Sequence, residues 1–192
     1  MPTLKSKIKK RALISVYDKT GIVDFARGLA KLGWEIISTG GTAKVLKSAG
    51  IKIIPIEKVT GNPEVFDGRM KTISFQIEGA ILYDRNNKKH KKEAEKFGIL
   101  PIDMVICNLY PFEKEKTLEN IDIGGPTMIR AAAKNYKYVT VVINPEDYEK
   151  IIKILKIKKK IPGRNRLKLA QKVFQKTAKY DKKIAEYFKN KA

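Results

Sequence analysis

Apolar runs of strand length alternate with amphipathic segments along the first third of the chain. The runs lie at residues 11–16, 34–37 and 51–56, and the segments between them have the spacing of amphipathic helices. This strand–helix order implies a parallel sheet covered by helices. We therefore expect an α/β fold, with three layers and a mostly parallel sheet flanked by helices. Ligands of such folds bind at the carboxyl ends of the strands.

The remaining two thirds extend this pattern without dividing the chain. Buried strands are predicted over 104–109 and 138–143, and a charged helix over 87–97. A long helix follows the break at Pro162-Gly163. Neither an internal repeat nor a low-complexity linker is present, so we expect a single domain over residues 1–192.

The charge balance is strongly basic, with a net charge of +21. Residues 151–192 contain 15 Lys and Arg against two acids, dispersed along the predicted final helix. We interpret this segment as a solvated helical face, with an apolar stripe formed by Leu169, Val173, Phe174, Tyr180, Ile184 and Tyr187. A basic nucleic-acid-binding protein remains an alternative.

The inventory of reactive side chains is small. Cys107 and His90 are the single cysteine and histidine, which excludes an internal disulfide framework and argues against a Cys/His zinc site or a catalytic triad. Cys107 lies in an apolar run and is interpreted as a core residue. The cytoplasm is the expected compartment.

A phosphate cradle is predicted between the second strand and its following helix. Glycines there allow close backbone approach, hydroxyls donate hydrogen bonds, and a helix N-terminus favours negative charge. The residues are Ser38, Thr39, Gly40, Gly41 and Thr42. Lys19, in Asp18-Lys19-Thr20 after the first strand, is placed to meet the same anion. The alternative for both segments is ordinary helix capping.

Residues 121–135 combine an acid, a glycine pair and a base. The pattern predicts the end of a strand, a Gly124-Gly125 turn and a helix opened by Pro126, whose free N–H groups suit an anion or a carbonyl oxygen. Asp122 precedes the turn, and Lys134 lies about two helical turns after Pro126. A simple turn followed by a surface helix is the alternative.

Two further groups are candidates for ligand contacts. Arg69, Lys71 and Thr72 form a basic, polar stretch suited to clamping a phosphate or polarising a carbonyl, although such loops are often merely solvated. Tyr110 follows Asn108 at the end of a buried strand, where this architecture places ligands, although core packing would also explain it.

Together, these motifs make the chain resemble inosine monophosphate (IMP) cyclohydrolase. They occur in one order, as residues 15–21, 38–42, 60–64, 67–72, 108–112 and 121–135. The resemblance implies a methylglyoxal-synthase-like fold and closure of 5-formamidoimidazole-4-carboxamide ribotide (FAICAR) to IMP with loss of water. It implies no metal or cofactor, a homodimer, and absence of the transformylase domain that usually follows. A separate transformylase is a possible partner, whereas a membrane or nucleic acid is not expected.

The resemblance also assigns roles to particular residues. Lys134 matches the family's proton donor and acceptor, Lys71 and Tyr110 match residues around the reacting formyl group, and Asp122 matches the residue that holds the carboxamide. The implied substrate-binding residues are Tyr17, Asp18, Lys19, Ser38, Thr39, Gly40, Gly41, Thr42, Arg69, Thr72, Cys107, Asn108, Ile123 and Gly124.

The chain departs from the family pattern in places. Tyr17 stands where the family commonly has Ser, and a family His is replaced by Glu78. A nucleotide-sensing domain of the same fold would keep the cradle but would not need Lys71, Tyr110, Asp122 and Lys134 together. Methylglyoxal synthase depends on histidine motifs that are missing here.

Overall fold

Five parallel strands form the sheet of this protein, for which a computed structural model describes residues 9–191. Positions 1–8 and 192 of the expected domain lie outside the described residues. The sheet order is β3-β2-β1-β4-β5. The strands are β1 Arg11–Val16, β2 Glu35–Ser38, β3 Ile54–Pro55, β4 Met104–Asn108 and β5 Thr140–Val142. Every pairing between them is parallel, which confirms the α/β prediction.

The helices cover the sheet from both sides. They are α1 Ile22–Lys31, α2 Gly40–Ser48, α3 Glu57–Thr60, α4 Phe75–Leu82, α5 Lys88–Lys96, α6 Gly124–Lys134, α7 Tyr148–Lys158 and α8 Gly163–Lys189. Helix α1 packs against α2 and α7, whereas α6 packs against α4 and α8. The β1-α1-β2 and β4-α6-β5 units run in opposite directions across the sheet, so right-handed crossovers place α1 and α6 on opposite faces. Among residues 9–191, no helix combines the length and apolar character needed to cross a membrane.

Strands β1 and β4 lie side by side where the strand order changes direction. The Asn108 side chain, at the end of β4, joins their carboxyl ends. Its Oδ1 accepts hydrogen bonds from the backbone N–H groups of Tyr17 and Asp18 at 2.7 and 2.8 Å, and its Nδ2 donates to the Asp18 carbonyl at 2.9 Å. Such a switch point is where open α/β sheets bind ligands.

Both glycine pairs lie within the first turns of helices rather than before them. Helix α2 begins at Gly40, and α6 begins at Gly124 with Pro126 as its third residue. A Cβ on Gly125 would lie 2.4 Å from Asp122 Oδ2 and 2.8 Å from Leu109 Cδ2. The glycine is therefore required by close packing within the helix's first turn, rather than by a turn before it.

Two predicted strands differ in the structure. The stretch before α6 is an irregular segment that follows a 3-10 turn at Leu118–Asn120, so the predicted strand end there is wrong. The third strand is reduced to Ile54–Pro55 at the sheet edge, where a proline, which has no N–H to donate, is tolerated. A second 3-10 turn, Pro145–Asp147, precedes α7.

Helix α8 buries most of its predicted apolar stripe against the rest of the core. Phe174 is the exception, since 44% of it is exposed. Its ring packs against the Arg130 guanidinium of α6, 5.4 Å from the ring centroid. The stripe therefore docks α8 onto α6 and β5.

Glu78, in the first turn of α4, is expected to make stability depend on pH. Its Oε1 is buried without a hydrogen-bond partner in the described part of the chain, and burial raises its pKa from 4.5 to about 7. The folded state then holds a proton that the unfolded state releases, so the free energy of unfolding falls as pH rises from about 4.5 to 7.

Replacing Glu78 with Gln removes this titration. We expect Glu78→Gln to exceed the wild type in Tm by about 3 °C at pH 8, which is about 1 kcal/mol after allowance for partial solvent screening. Below about pH 4, where Glu78 is protonated in both states, the two should unfold together. Asp122 also has a raised pKa, but it is present in both proteins. The difference in Tm between the variant and the wild type, measured by calorimetry, therefore reports on Glu78 alone. Parallel Tm curves across this range would contradict the assignment.

Candidate active site

A cavity of about 740 Å³ opens at the carboxyl ends of β1 and β4. This volume suits a small-molecule ligand. Its walls are the N-terminal turns of α2 and α6, the 67–72 loop and the segment before α6. The cavity brings together most of the predicted residues: Tyr17, Lys19, Thr39, Gly40, Gly41, Thr42, Arg69, Lys71, Thr72, Cys107, Asn108, Tyr110, Asp122, Ile123 and Gly124.

The N-terminus of α2 presents hydrogen-bond donors to the cavity. The amides of residues 40–42 have no acceptor within the helix, because the first turn of any helix leaves its N–H groups free. The Thr39 hydroxyl is buried and has no hydrogen-bond partner among the described residues. The helix terminus adds positive potential to these donors, so an anion is favoured here.

Two lysines flank this helix end. Lys19 Nζ donates to the Tyr17 carbonyl at 3.1 Å and lies 3.9 Å from the position of a Cβ on Gly41. Lys71 Nζ lies 3.8 Å from the corresponding position on Gly40. A Cβ at either glycine would therefore lie in van der Waals contact with an ammonium group. The arrangement suits a phosphate dianion, which two cations and several amides can neutralise.

The Thr42 hydroxyl has a structural role. It accepts a hydrogen bond from the Val16 N–H at 3.1 Å and donates to the Val16 carbonyl at 3.0 Å. These bonds fix the start of α2 to the end of β1. Of the two threonines in the cradle, Thr39 is therefore the one whose hydroxyl is available to a ligand.

Asp122 lines the cavity just before the N-terminus of α6. Its Oδ1 accepts a hydrogen bond from the Gly125 N–H at 2.7 Å. Burial raises the pKa of Asp122, while hydrogen bonds from the Gly125 and Tyr110 amides and the charge of Lys71 act against that rise. A carboxylate held in this way accepts hydrogen bonds strongly, because it is poorly hydrated.

Aromatic and charged side chains surround the cavity mouth. The Tyr110 and Tyr17 rings meet edge to face at 5.2 Å between centroids. Arg69, in the 67–72 loop, forms an exposed ion pair with Glu119. The Lys71 Nζ lies 3.6 Å from Glu64 Oε1. The ammonium group therefore faces both this carboxylate and the cavity.

Gly68 makes the approach of Glu64 to Lys71 feasible. It has a φ of +88°, and a Cβ there would lie 2.7 Å from Glu64 Oε1 and 2.9 Å from Lys71 Nζ. Residues with side chains seldom adopt this backbone conformation. The Asp67-Gly68 step therefore shapes the loop that carries Arg69 and Lys71.

Three predicted site residues do not line the cavity. The Ser38 side chain is buried, and its hydroxyl donates to the Ile14 carbonyl at 2.7 Å, so it ties β2 to β1. The Asp18 carboxylate accepts from the Thr20 N–H at 2.9 Å, which makes it a turn cap. Hydrogen bonds from Thr20 also lower the pKa of Asp18.

Lys134 is the third, and its position requires the largest correction. It is exposed and is the last residue of α6, whereas the first turn of that helix lines the cavity. Ten residues of helix separate Gly124 from Lys134, a rise of about 15 Å. Asp122, the first-turn amides of α6 and Lys134 therefore do not come together within one chain.

The cavity includes residues that were not predicted as site residues. They are Ser15, Val16, Asp67, Gly68, Leu118, Glu119, Ile121, Gly125 and Met128. Ser15, Asp67 and Gly68 belong to motifs noted above, which could have indicated them. Nothing in the sequence indicated Leu118 and Glu119. Within residues 9–191, no group of three or more His, Cys, Asp or Glu side chains is placed to hold a metal ion.

Comparisons with known proteins give the same picture of the fold. Residues 21–136 match the family model described as MGS-like domain, and residues 132–192 match that described as AICARFT/IMPCHase bienzyme. The crystal structure of ForH superposes with a TM-score of 0.86 at 34% identity, and the match covers 93% of this chain and 96% of that one.

Curated relatives are longer than this chain. The bifunctional purine biosynthesis protein PurH of Acetivibrio thermocellus is 51% identical over 189 residues, which are 94% of this chain and 37% of the relative. PurH of Caldicellulosiruptor bescii is 48% identical, covering 95% of this chain and 37% of the relative. The chain thus spans little more than a third of these relatives.

Proposed function

The chain belongs to the family of MGS-like domains, and from this membership and the site geometry we propose that it is an IMP cyclohydrolase. Its reaction is the closure of FAICAR to IMP, the final step of de novo purine biosynthesis. Residues 1–192 act as one cyclohydrolase domain in the cytoplasm. The similarity to PurH and to the bienzyme family supports this substrate.

We base the proposal on one observation: the same cavity is lined by the free amides at the N-terminus of α2 and by Asp122, a buried carboxylate, with Lys71 close to both. A ribotide has its phosphate at one end and its reacting groups at the other. The phosphate binds at the N-terminus of α2 with Lys19, and the carboxamide and formamide lie near Asp122 and Lys71. Tyr110 and Tyr17 cover the base.

The reaction forms one C–N bond and releases one water. The carboxamide nitrogen attacks the formyl carbon and loses a proton, while the formyl oxygen gains one and becomes a hydroxyl. That hydroxyl then leaves as water with the proton of the formamide nitrogen, which creates the C=N bond of the new ring. No electrons are gained or lost overall.

The side chains address the two difficulties of this chemistry. An amide nitrogen is a poor nucleophile, so Asp122 accepts its N–H and orients it toward the formyl carbon. Negative charge develops on the formyl oxygen during attack, and the Lys71 ammonium stabilises it. The first-turn amides of α6 add donors at the same end of the cavity.

Lys134 enters this proposal through a second copy of the chain. Because it lies at the far end of α6 from its own cavity, its role as a proton donor and acceptor requires delivery by a partner subunit. We propose a symmetric homodimer in which each protomer's Lys134 reaches the other's site. Twofold symmetry allows this exchange, since each contact between two protomers occurs twice.

Mixing two inactive variants tests the shared site. We expect Lys134→Ala and Asp122→Asn each to be nearly inactive alone. After co-refolding, half of the dimers are mixed, and each contains one site with both native residues. Activity should therefore return to about a quarter of the wild-type value. A mixture no more active than its components would contradict a shared site, and an active Lys134→Ala would remove this lysine from the chemistry.

Ring closure itself is tested by following ultraviolet absorbance with FAICAR and the purified protein. We expect IMP to form faster than in protein-free buffer, in proportion to the protein concentration. If the protein binds IMP in calorimetry but does not accelerate its formation, it is a nucleotide-binding domain without this activity.

A further inference from the structure

Helix α8 contacts the backbone that carries Asp122. The buried Tyr180 hydroxyl accepts a hydrogen bond from the Asp122 N–H at 2.9 Å and donates to the Asn120 carbonyl at 3.2 Å. Tyr180 lies 58 residues beyond Asp122 in the chain. A single hydroxyl thus bridges a donor and an acceptor two residues apart in an otherwise irregular segment.

These bonds hold Asp122 from two directions. Its backbone N–H is held by Tyr180, and its carboxylate is held by the Gly125 N–H at 2.7 Å. The segment between the 3-10 turn and α6 has no sheet hydrogen bonds of its own. These two anchors, together with the Tyr110 amide that also bonds the carboxylate, therefore fix Asp122 in the cavity.

The Tyr180 ring also contacts the other loop at this end of the cavity. It packs edge to face with Phe112, with 6.3 Å between ring centroids. Phe112 lies two residues after Tyr110, and its neighbour Glu113 pairs with Lys183 of α8. One face of α8 therefore supports both segments that surround the reacting end of the ligand.

We propose that Tyr180 is a positioning residue, which fixes Asp122 in the orientation needed for ring closure. This inference rests on the cyclohydrolase proposal, since it assigns Tyr180 an effect on that reaction. Tyr180 does not line the cavity and acts only through Asp122. The final helix, whose basic outer face suggested a solvated surface, thereby forms part of the catalytic apparatus.

Tyr180→Phe tests the proposal because it removes the hydroxyl and keeps the ring. We expect kcat for ring closure to fall about ten- to a hundredfold, since small displacements of a catalytic group cost this much, with KM for FAICAR within about twofold. Tyr187→Phe is the matched control. The Tyr187 ring also packs on Phe112, 5.4 Å between centroids, but its hydroxyl makes no hydrogen bond within residues 9–191. It should retain the wild-type kcat.

A wild-type kcat in Tyr180→Phe would overturn the inference. The inference would also be overturned if kcat falls only in proportion to the fraction of protein that is unfolded at the assay temperature, because such a loss indicates a purely structural role. If the wild type forms no IMP, the cyclohydrolase proposal fails, and the positioning role fails with it. Hydrogen exchange at the Asp122 amide tests the anchor separately: it should be at least about tenfold faster in Tyr180→Phe, and an unchanged rate would overturn the inference.

Discussion

Replacing Asp122 with Asn is expected to lower kcat for ring closure by about a hundredfold or more, with little change in IMP affinity. Asn keeps the shape and can still accept from the Gly125 N–H, but it has no negative charge to accept the carboxamide proton. Loss of one such electrostatic contact typically costs a factor of 10²–10³, or about 3–4 kcal/mol. The proposed phosphate contacts at the N-terminus of α2 are untouched by this change. Initial rates and calorimetry with IMP measure the two effects.

The pH dependence of the wild type gives a second measure of the same residue. Because burial raises the pKa of Asp122, kcat/KM should fall with decreasing pH at a value above that of an ordinary Asp. Asp181→Asn, which neutralises an exposed carboxylate on α8, is the control and should change neither rate nor affinity. If Asp122→Asn keeps a third or more of the wild-type kcat, the carboxylate is not part of the chemistry.

Replacing Lys71 with Met is expected to lower kcat/KM by about a thousandfold, through both binding and turnover. Its ammonium group lies beside the α2 N-terminus, so its loss weakens the phosphate contact. It also faces Asp122 and lowers the pKa of that carboxyl. Loss of a charged group that stabilises the developing oxyanion, together with the weaker phosphate contact, accounts for a loss of this size.

The same change should move the acidic limb of the pH–rate profile. Without the positive charge, the pKa of Asp122 rises further, so activity is lost at a higher pH than in the wild type. Lys168→Met, an exposed position on α8, removes one positive charge far from the cavity and serves as the control. A Lys71→Met enzyme with an unshifted acidic limb and normal KM would place Lys71 outside the site.

The parts of the fold that follow from local patterns were predicted well. Strand β1 has the predicted bounds, and the parallel sheet follows from the alternation of strands and helices. The anion site was predictable because its donors are contiguous from Thr39 to Thr42. The exact role of each hydroxyl was not, since Ser38 and Thr42 bond to strand β1, which lies more than twenty residues away.

The rest of the site depends on contacts between distant segments. The Tyr180 hydroxyl contacts Asp122 only because α8 docks on α6. The periodic pattern of α8 places Tyr180 on the buried face, but it does not show which group its hydroxyl is hydrogen-bonded to. Likewise, the spacing of Asp122 and Lys134 suggested one site. Because a helix rises about 1.5 Å with each residue, Asp122 and Lys134 lie near opposite ends of α6.

A crystal structure of the protein with bound IMP would show directly how the ligand lies in the cavity. We expect the phosphate on the amides of residues 40–42 beside Lys19, and the pyrimidine edge of the purine within hydrogen-bond distance of Asp122 and Lys71. IMP bound in the reverse orientation, or outside this cavity, would contradict this expectation.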